Sequence, residues 1–201
     1  MIYIQDNFIE ENLFKRTQEH LNNNDFIEHI VGEKLFYVQS PIKEFDNYVF
    51  TELEKIERQP LKKILSFFRL STDKLDDEWR IHIDYLTNDG VLHETPRAAV
   101  IYISPSQFET LHGTALWEHH VHGQSFMPSI DDQNSLKEYD RIICEDRNDL
   151  SKFTLKSVIG WNPNRLISFP SNLFHSKYPN KSWESGRQLY ITFYKYRNKI
   201  I

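Results

Sequence analysis

The sequence predicts a mainly β fold with supporting helices, a sandwich or barrel, and three observations carry that expectation. Two amphipathic helical segments occupy the first 60 positions. About eight short runs with strand chemistry follow them, and no internal repeat, Pro-rich linker or low-complexity tract divides the chain. Helices first and strands after suggest helices packed on one sheet of a β-sandwich or barrel. At 201 residues the chain can bury one sizeable core, so a single domain spanning 1–201 is expected.

Taken in order, "MIYIQDNF" reads as a short strand with Asp6 or Asn7 as a helix N-cap. Phe8 or Ile9, Leu13, Phe14 and Leu21 then fall near helical spacing, and the polar "NNND" ends the helix. A second helix is predicted over 43–58, where Phe45, Tyr48, Val49, Leu53 and Ile56 form an apolar stripe and Pro60 follows the stop. The strand runs are "KKILSFFRLS", "EWRIHIDYL", "RAAVIYIS", "GTALWEH", "FTLKSVIGW", "NRLISFPS", "LFHSKYP" and "RQLYITFYKY". Residues 123–152 interrupt the series with a polar, charge-dense stretch that is partly helical in pattern around Leu136, Tyr139, Ile142 and Ile143. A segment of that length in one domain reads as an insertion and a candidate lid.

Composition is globular, with 39% apolar and 26% charged residues and a core expected to be rich in its 14 Phe, 10 Tyr and 4 Trp. The formal net charge of −5 lacks the general positive field that drives non-specific nucleic-acid binding, so a nucleic-acid partner is not expected. Arg69, Arg80 and Arg97 remain available to line a local anionic-ligand pocket. Cys144 is the single cysteine, so no internal disulfide forms, and no window has the length of a signal peptide or membrane helix. A cytoplasmic location without membrane attachment is the expectation.

"EWRIHIDYL" carries the chemistry. Its period of two puts Trp79, Ile81, Ile83 and Tyr85 on one face and Arg80, His82 and Asp84 on the other. An imidazole and a carboxylate two residues apart on one face can share a proton or a metal ion. His175 lies between two strand-like runs, and Arg187, twelve positions later, heads a strand whose inward face continues through Leu189, Ile191 and Phe193. An arginine at the head of an apolar inward face needs an anion, because a buried unpaired charge is very costly. The tract "EHHVH" looks metal-binding, but consecutive strand residues face opposite sides, so His119 and His120 cannot both reach one ion there. His20 and His29 read as surface residues, and His93 and His112 sit in turn-like surroundings.

The order H-x-D, distal His, then Arg at the start of the last barrel strand resembles the Fe(II)- and 2-oxoglutarate-dependent oxygenases, in particular their prolyl-hydroxylase-like branch. The resemblance runs from about 62 to 196, with residues 1–60 similar to that family's supporting helices, and it implies a double-stranded β-helix, a jelly-roll or cupin-like barrel. "AVIYIS" and "GTALWEH" are similar to the strand after the H-x-D and to the Gly-rich strand that opens toward substrate. The resemblance implies that His82, Asp84 and His175 hold Fe(II), that Arg187 binds the distal carboxylate of 2-oxoglutarate, and that O2 takes the last open position. Tyr102 is a second candidate donor to that carboxylate or a core tyrosine. Ser168, Asn172 and Thr192 are further candidates, and Trp117 either faces substrate at the barrel mouth or completes the core.

The implied reaction decarboxylates 2-oxoglutarate to succinate and CO2 and hydroxylates an unactivated C–H of a peptidyl substrate, prolyl included, or of a small molecule. Two rivals stay open. One is a cupin-like metal enzyme that does not use 2-oxoglutarate, which leaves Arg187 without a reason. The other is a non-catalytic β-sandwich binding module in which His82 and Asp84 form a buried hydrogen-bonded pair. Substrate and oligomeric state are not legible from the chain, because this fold and ligand set serve many substrates.

Overall fold

Strand alternation after residue 60 folds into two antiparallel sheets that face each other across an apolar interior. The computed structural model describes residues 1–197 apart from 32–33, 75–77, 85–86, 89–90, 93–96, 106–110, 182 and 184–185. Its elements are β1 (Tyr3–Gln5), α1 (Glu11–Asn23), β2 (Ile27–Val31), β3 (Lys34–Gln39), α2 (Lys43–Glu57), β4 (Leu61–Ser71), β5 (Thr87–Asn88), β6 (Val91–Leu92), β7 (Arg97–Tyr102) and β8 (Gly113–His119). After α3 (Gln133–Arg141) come β9 (Phe153–Gly160), β10 (Leu166–Pro170), β11 (His175–Tyr178) and β12 (Arg187–Tyr196). The larger sheet has the order β1-β10-β7-β12-β4-β3-β2, and the smaller has β11-β8-β9.

The central strand β12 shows why both faces of the large sheet are buried. Leu189, Ile191 and Phe193 point between the sheets and pack with Ala98, Tyr102, Ile167 and Phe169, closed from the other side by Ile159 and Leu116. Tyr190 and Tyr194 point outward into a second core formed by Phe8, Leu13, Phe14 and Leu21 around α1 and by Phe45, Val49 and Leu53 of α2. The helices thus cover the outer face of the large sheet, as their apolar stripes require. A third cluster, with Ile81, Ile83, Ala115, Trp117, Ile142, Phe153 and Phe174, lies on the outer face of the small sheet. No helix among the described residues is long and apolar enough to cross a membrane.

Several expectations are corrected. The first helix starts at Glu11, capped by the Glu10 carboxylate, which accepts from the Asn12 and Leu13 amides at 3.2 and 3.1 Å, so Asp6 and Asn7 are not its cap. The hairpin β2–β3 was not expected, yet it extends the large sheet through pairs such as Val38↔Arg69. "EWRIHIDYL" is not a ladder strand over its described residues. Arg80 has φ +48°, the Ile81 amide donates to Arg147 O, and the Asp84 amide donates to Ser171 O, so backbone donors leave in different directions. The segment pairs with β11 at a single bridge, His82↔His175.

The 123–152 segment packs along the small sheet. The His119 Nε2–H donates to Asp146 at 3.0 Å, and His122 Nε2 meets Glu138 at 2.7 Å. Arg141 joins both carboxylates, at 2.7 Å to Glu138 and 2.6 Å to Asp146. His120 turns away to Thr154 at 3.0 Å. The "EHHVH" tract is therefore a hydrogen-bonded clamp for the insertion, with its members facing different ways.

Candidate metal centre

The single bridge between residue 82 and β11 does what no longer ladder is needed for. His82 N–H donates to His175 O at 3.0 Å and His175 N–H returns to His82 O at 2.9 Å, a reciprocal pair that sets the two residues directly opposite. Side chains of opposed residues leave on the same face, and the two imidazole rings sit 4.3 Å apart. Asp84, two residues on, joins them, with Oδ1 3.6 Å from His82 Nε2 and Oδ2 3.3 Å from His175 Nε2.

Each imidazole is oriented from behind. His82 Nδ1–H donates to Arg80 O at 2.7 Å, and His175 Nδ1–H donates to Leu173 O at 2.9 Å. A proton on Nδ1 leaves the Nε2 lone pair free, and both lone pairs face the carboxylate. Burial and the neighbouring His82 push the His175 pKa down to about 4, against the pull of Asp84, so this imidazole is neutral at pH 7. Burial alone would raise the Asp84 pKa, but His175, His82 and Arg69 together hold it below the ordinary carboxylate value. One potential ligand atom from each of His82, Asp84 and His175 lies within 4.8 Å of the others. Cis ligands on an octahedral ion with bonds of about 2.1 Å stand about 3 Å apart, so the three atoms need only small shifts to meet one ion.

Arg187 is 6% exposed, and its guanidinium lies 4.9 Å from the Trp183 ring centroid. It lines the same cavity of about 610 Å³ as the three candidate ligands. Tyr102 is fully buried beside it and stacks on Trp161 at 4.1 Å. Its hydroxyl shares a 2.7 Å hydrogen bond with Thr114 and donates to Ile159 O at 3.3 Å, and burial pushes its pKa up to about 12. Among the described lining residues the cavity-facing hydroxyl of this pair is that of Thr114, with Tyr102 holding it from behind.

Of the two readings of Trp117 the structure has the core one: it is 4% exposed, belongs to the cluster outside the small sheet, and donates to Ser176 Oγ at 3.0 Å. Alternation along β8 puts it there: Thr114 and Leu116 face the interior, and Ala115 and Trp117 face outward. Ser168 faces the helix layer, bonded to Arg97 and Tyr194, and Thr192 donates to Leu65 O. Asn172 does not line the cavity either. Of the three arginines considered for an anionic pocket, Arg97 is buried against Glu57 at 2.7 Å on the far face of the sheet, whereas Arg69 lines the cavity. Arg80 lines a smaller adjoining pocket of about 160 Å³.

Sequence reasoning missed the outer wall. His29, Phe36, Val38 and Gln39 from the β2–β3 hairpin line the cavity, continuing the inner face that Leu65, Phe67 and Arg69 begin on β4. The alternation in "KLFYVQ" is the signal that was available. His29 is exposed as expected but borders this cavity, and His112 is buried against Trp183 at 4.8 Å. The expectation for His93 lies outside the described residues.

No family model matches the chain, and no curated protein matches it in sequence. Solved structures do match. HygX from Streptomyces hygroscopicus, with nickel and 2-oxoglutarate bound, aligns at a TM-score of 0.58 and 12% identity over 98% of this chain and 83% of its own. The non-heme alpha ketoglutarate dependent epimerase SnoN from nogalamycin biosynthesis aligns at 0.59 and 11% identity over 100% of this chain and 82% of its own. A Pseudomonas putida prolyl-4-hydroxylase aligns at 0.50 and 11% identity over 98% of this chain and 93% of its own. The two facing sheets of this chain therefore form a double-stranded β-helix, the jelly-roll barrel that it shares with these proteins.

Proposed function

We propose that the chain is an Fe(II)- and 2-oxoglutarate-dependent oxygenase that hydroxylates an unactivated C–H of a small-molecule or peptidyl substrate. The observation that carries this is the juxtaposition in one cavity of two imidazole Nε2 atoms, one carboxylate and a buried arginine. The donor set fits the metal. Two imidazoles and one carboxylate converging on one point would hold Fe(II), and this is the donor set that non-haem Fe(II) oxygenases use. When bound, the iron supplies the redox chemistry by which 2-oxoglutarate is converted to succinate and CO2.

The chain's own residues position and protect. Arg187 has the planar fork suited to bidentate binding of the distal carboxylate, and its charge does not titrate in the working range. Trp183, Trp161 and Tyr102 pack around that end and keep water out, which strengthens the ion pair. Thr114 offers a hydroxyl at the same cavity. Ala98, Val100, Leu189 and Ile191 give the interior an apolar lining that limits side reactions with solvent. The epimerase among the structural matches is a reminder that this fold hosts other outcomes, and hydroxylation is the reading to be tested first.

The decisive experiment is anaerobic titration of the protein with Fe(II) and 2-oxoglutarate, then O2, with succinate measured for wild type, Arg187→Lys and Arg187→Ala. We expect Arg187→Ala to weaken 2-oxoglutarate binding about 10- to 100-fold, the loss of one charge-assisted pair, with Arg187→Lys intermediate. Absence of 2-oxoglutarate binding to the metal-loaded wild type would replace this reading with a cupin-like metal site.

A further inference from the structure

The cavity is larger than its co-substrate needs and is polarised. Along β4, Leu65, Phe67 and Arg69 alternate onto its inner wall, and β3 adds Phe36 and Val38 beside them. The apolar strip ends at Arg69, whose guanidinium lies 4.8 Å from the Phe36 ring centroid and which pairs backbone to backbone with Val38. Across from it Lys177, 6% exposed, stands two residues beyond His175 on β11 and lines the same space. A smaller pocket shares Phe36, Arg69, His82, Lys177 and Arg187 with this cavity and adds Arg80 and Arg147.

The charge is one-sided. Among the described residues lining the two pockets, the cations are Arg69, Arg80, Arg147, Lys177 and Arg187, and Asp84 is the one carboxylate. Glu78 stands nearby, 3.2 Å from Arg80 and 3.6 Å from Arg147, and so belongs to those two. The whole chain carries a net charge of −5, so the concentration of cations is local to the site. Arg187 is assigned above to 2-oxoglutarate; Arg69 and Lys177 line the end of the apolar strip, on the His82 side.

We infer that the substrate is an amphiphilic organic anion, a small molecule with an apolar body that lies along Phe36, Val38, Leu65 and Phe67 and an anionic group held by Arg69 and Lys177. A carboxylate, sulfonate or phosphate satisfies the same chemistry, because a guanidinium and an ammonium in a partly dehydrated pocket recognise any compact oxyanion. This inference rests on the oxygenase reading only for the assignment of Arg187. It narrows the substrate from peptide or metabolite in general to an anionic metabolite with apolar bulk, and it places the anionic end near the metal ligands.

The test uses a matched pair of fluorescent probes, 8-anilinonaphthalene-1-sulfonate and N-phenyl-1-naphthylamine, which share an apolar body and differ by the sulfonate. Each is titrated into the full chain saturated with Ni(II) and 2-oxoglutarate under argon. We expect one sulfonate probe per chain, bound at least tenfold tighter than the neutral one. Arg69→Gln should abolish that preference and Arg69→Lys should restore most of it, which separates lost charge from lost folding. Octanoate should displace the sulfonate probe and inorganic phosphate should not, which shows that apolar body and anion are both read. Equal affinity of the two probes, or a preference unchanged in Arg69→Gln, overturns the inference. Calorimetric titration of 2-oxoglutarate in the same samples keeps the two readings apart: no 2-oxoglutarate binding with an intact Arg69-dependent preference sinks the oxygenase reading alone, and the reverse sinks the anion site alone.

Discussion

At the scale of single residues, the centre depends on where two protons sit. Both imidazoles are held by their Nδ1–H against backbone carbonyls, of Arg80 and of Leu173, and these acceptors move only if the backbone does. The Nε2 atoms are thus turned toward Asp84 by the backbone, and only small shifts would bring the three candidate ligand atoms to one ion. Removing one donor should be severe. For Asp84→Ala, Ni(II) affinity by calorimetry should fall by more than the roughly 10- to 100-fold typical of losing an outer-shell partner, because a ligand and its charge both go. Retention of wild-type affinity would mean that Asp84 is a structural partner of the histidines. Gly113 is a second residue with no substitute: a β-carbon there would stand 1.9 Å from Ile159 O. That close approach explains the glycine at the head of "GTALWEH", where β8 meets β9.

At the scale of elements, α2 is fastened to the barrel by a polar network beneath an aromatic one. Asp46, 5% exposed on the first turn of α2, accepts from Ser66 at 2.6 Å and Tyr190 at 2.5 Å and pairs with Lys63. Phe45 packs at 5.4 Å against Phe68 and 5.1 Å against Tyr190. Ser66 and Leu65 line the cavity, so this helix holds the strand that forms part of the binding wall. Asp46→Ala leaves two buried hydroxyls without their acceptor, and urea denaturation should show a loss of about 2–3 kcal/mol. A loss under about 0.5 kcal/mol would mean the network is solvated and that apolar packing alone seats α2.

For the whole molecule, the buried polar pairs set how stability responds to acid. Burial lowers the His119 pKa from 6.5, more than the Asp146 hydrogen bond raises it. The unfolded chain then takes up a proton that the folded chain refuses, so this contribution is fully present above pH 6.5 and declines as the pH falls below it. For Asp46, burial raises the pKa, but bonds from Lys63, Ser66 and Tyr190 outweigh it and hold the folded value below 3.8. Its stabilisation is present above pH 3.8 and is lost as the pH falls through the lower folded value. The urea midpoint should therefore decline in two stages; His175, whose pKa burial also lowers, to about 4, adds to the first, so His119→Gln should lessen that stage without removing it and should spare the second. A midpoint that stays level from pH 7 to pH 5 in the wild type would show that His119 does not titrate differently in the two states.

What the sequence by itself determined is the class of fold and the residues of the candidate site. Period-two runs in β4, β7 to β12 and helical stripes in α1 and α2 were legible because each buries one face, and alternation records which face that is. His82 with Asp84, and Arg187, were legible because polar side chains on an inward face demand a partner, and the resemblance in motif order joined His175 to them. What only the tertiary structure decided is every contact set by long-range register. The bridge between His82 and His175 joins residues far apart in the chain, and the β2–β3 hairpin gains its place only by pairing with β4. Side-chain direction on an isolated strand follows from local alternation, but which faces meet depends on backbone hydrogen bonds between segments, and those bonds carry no side-chain signature.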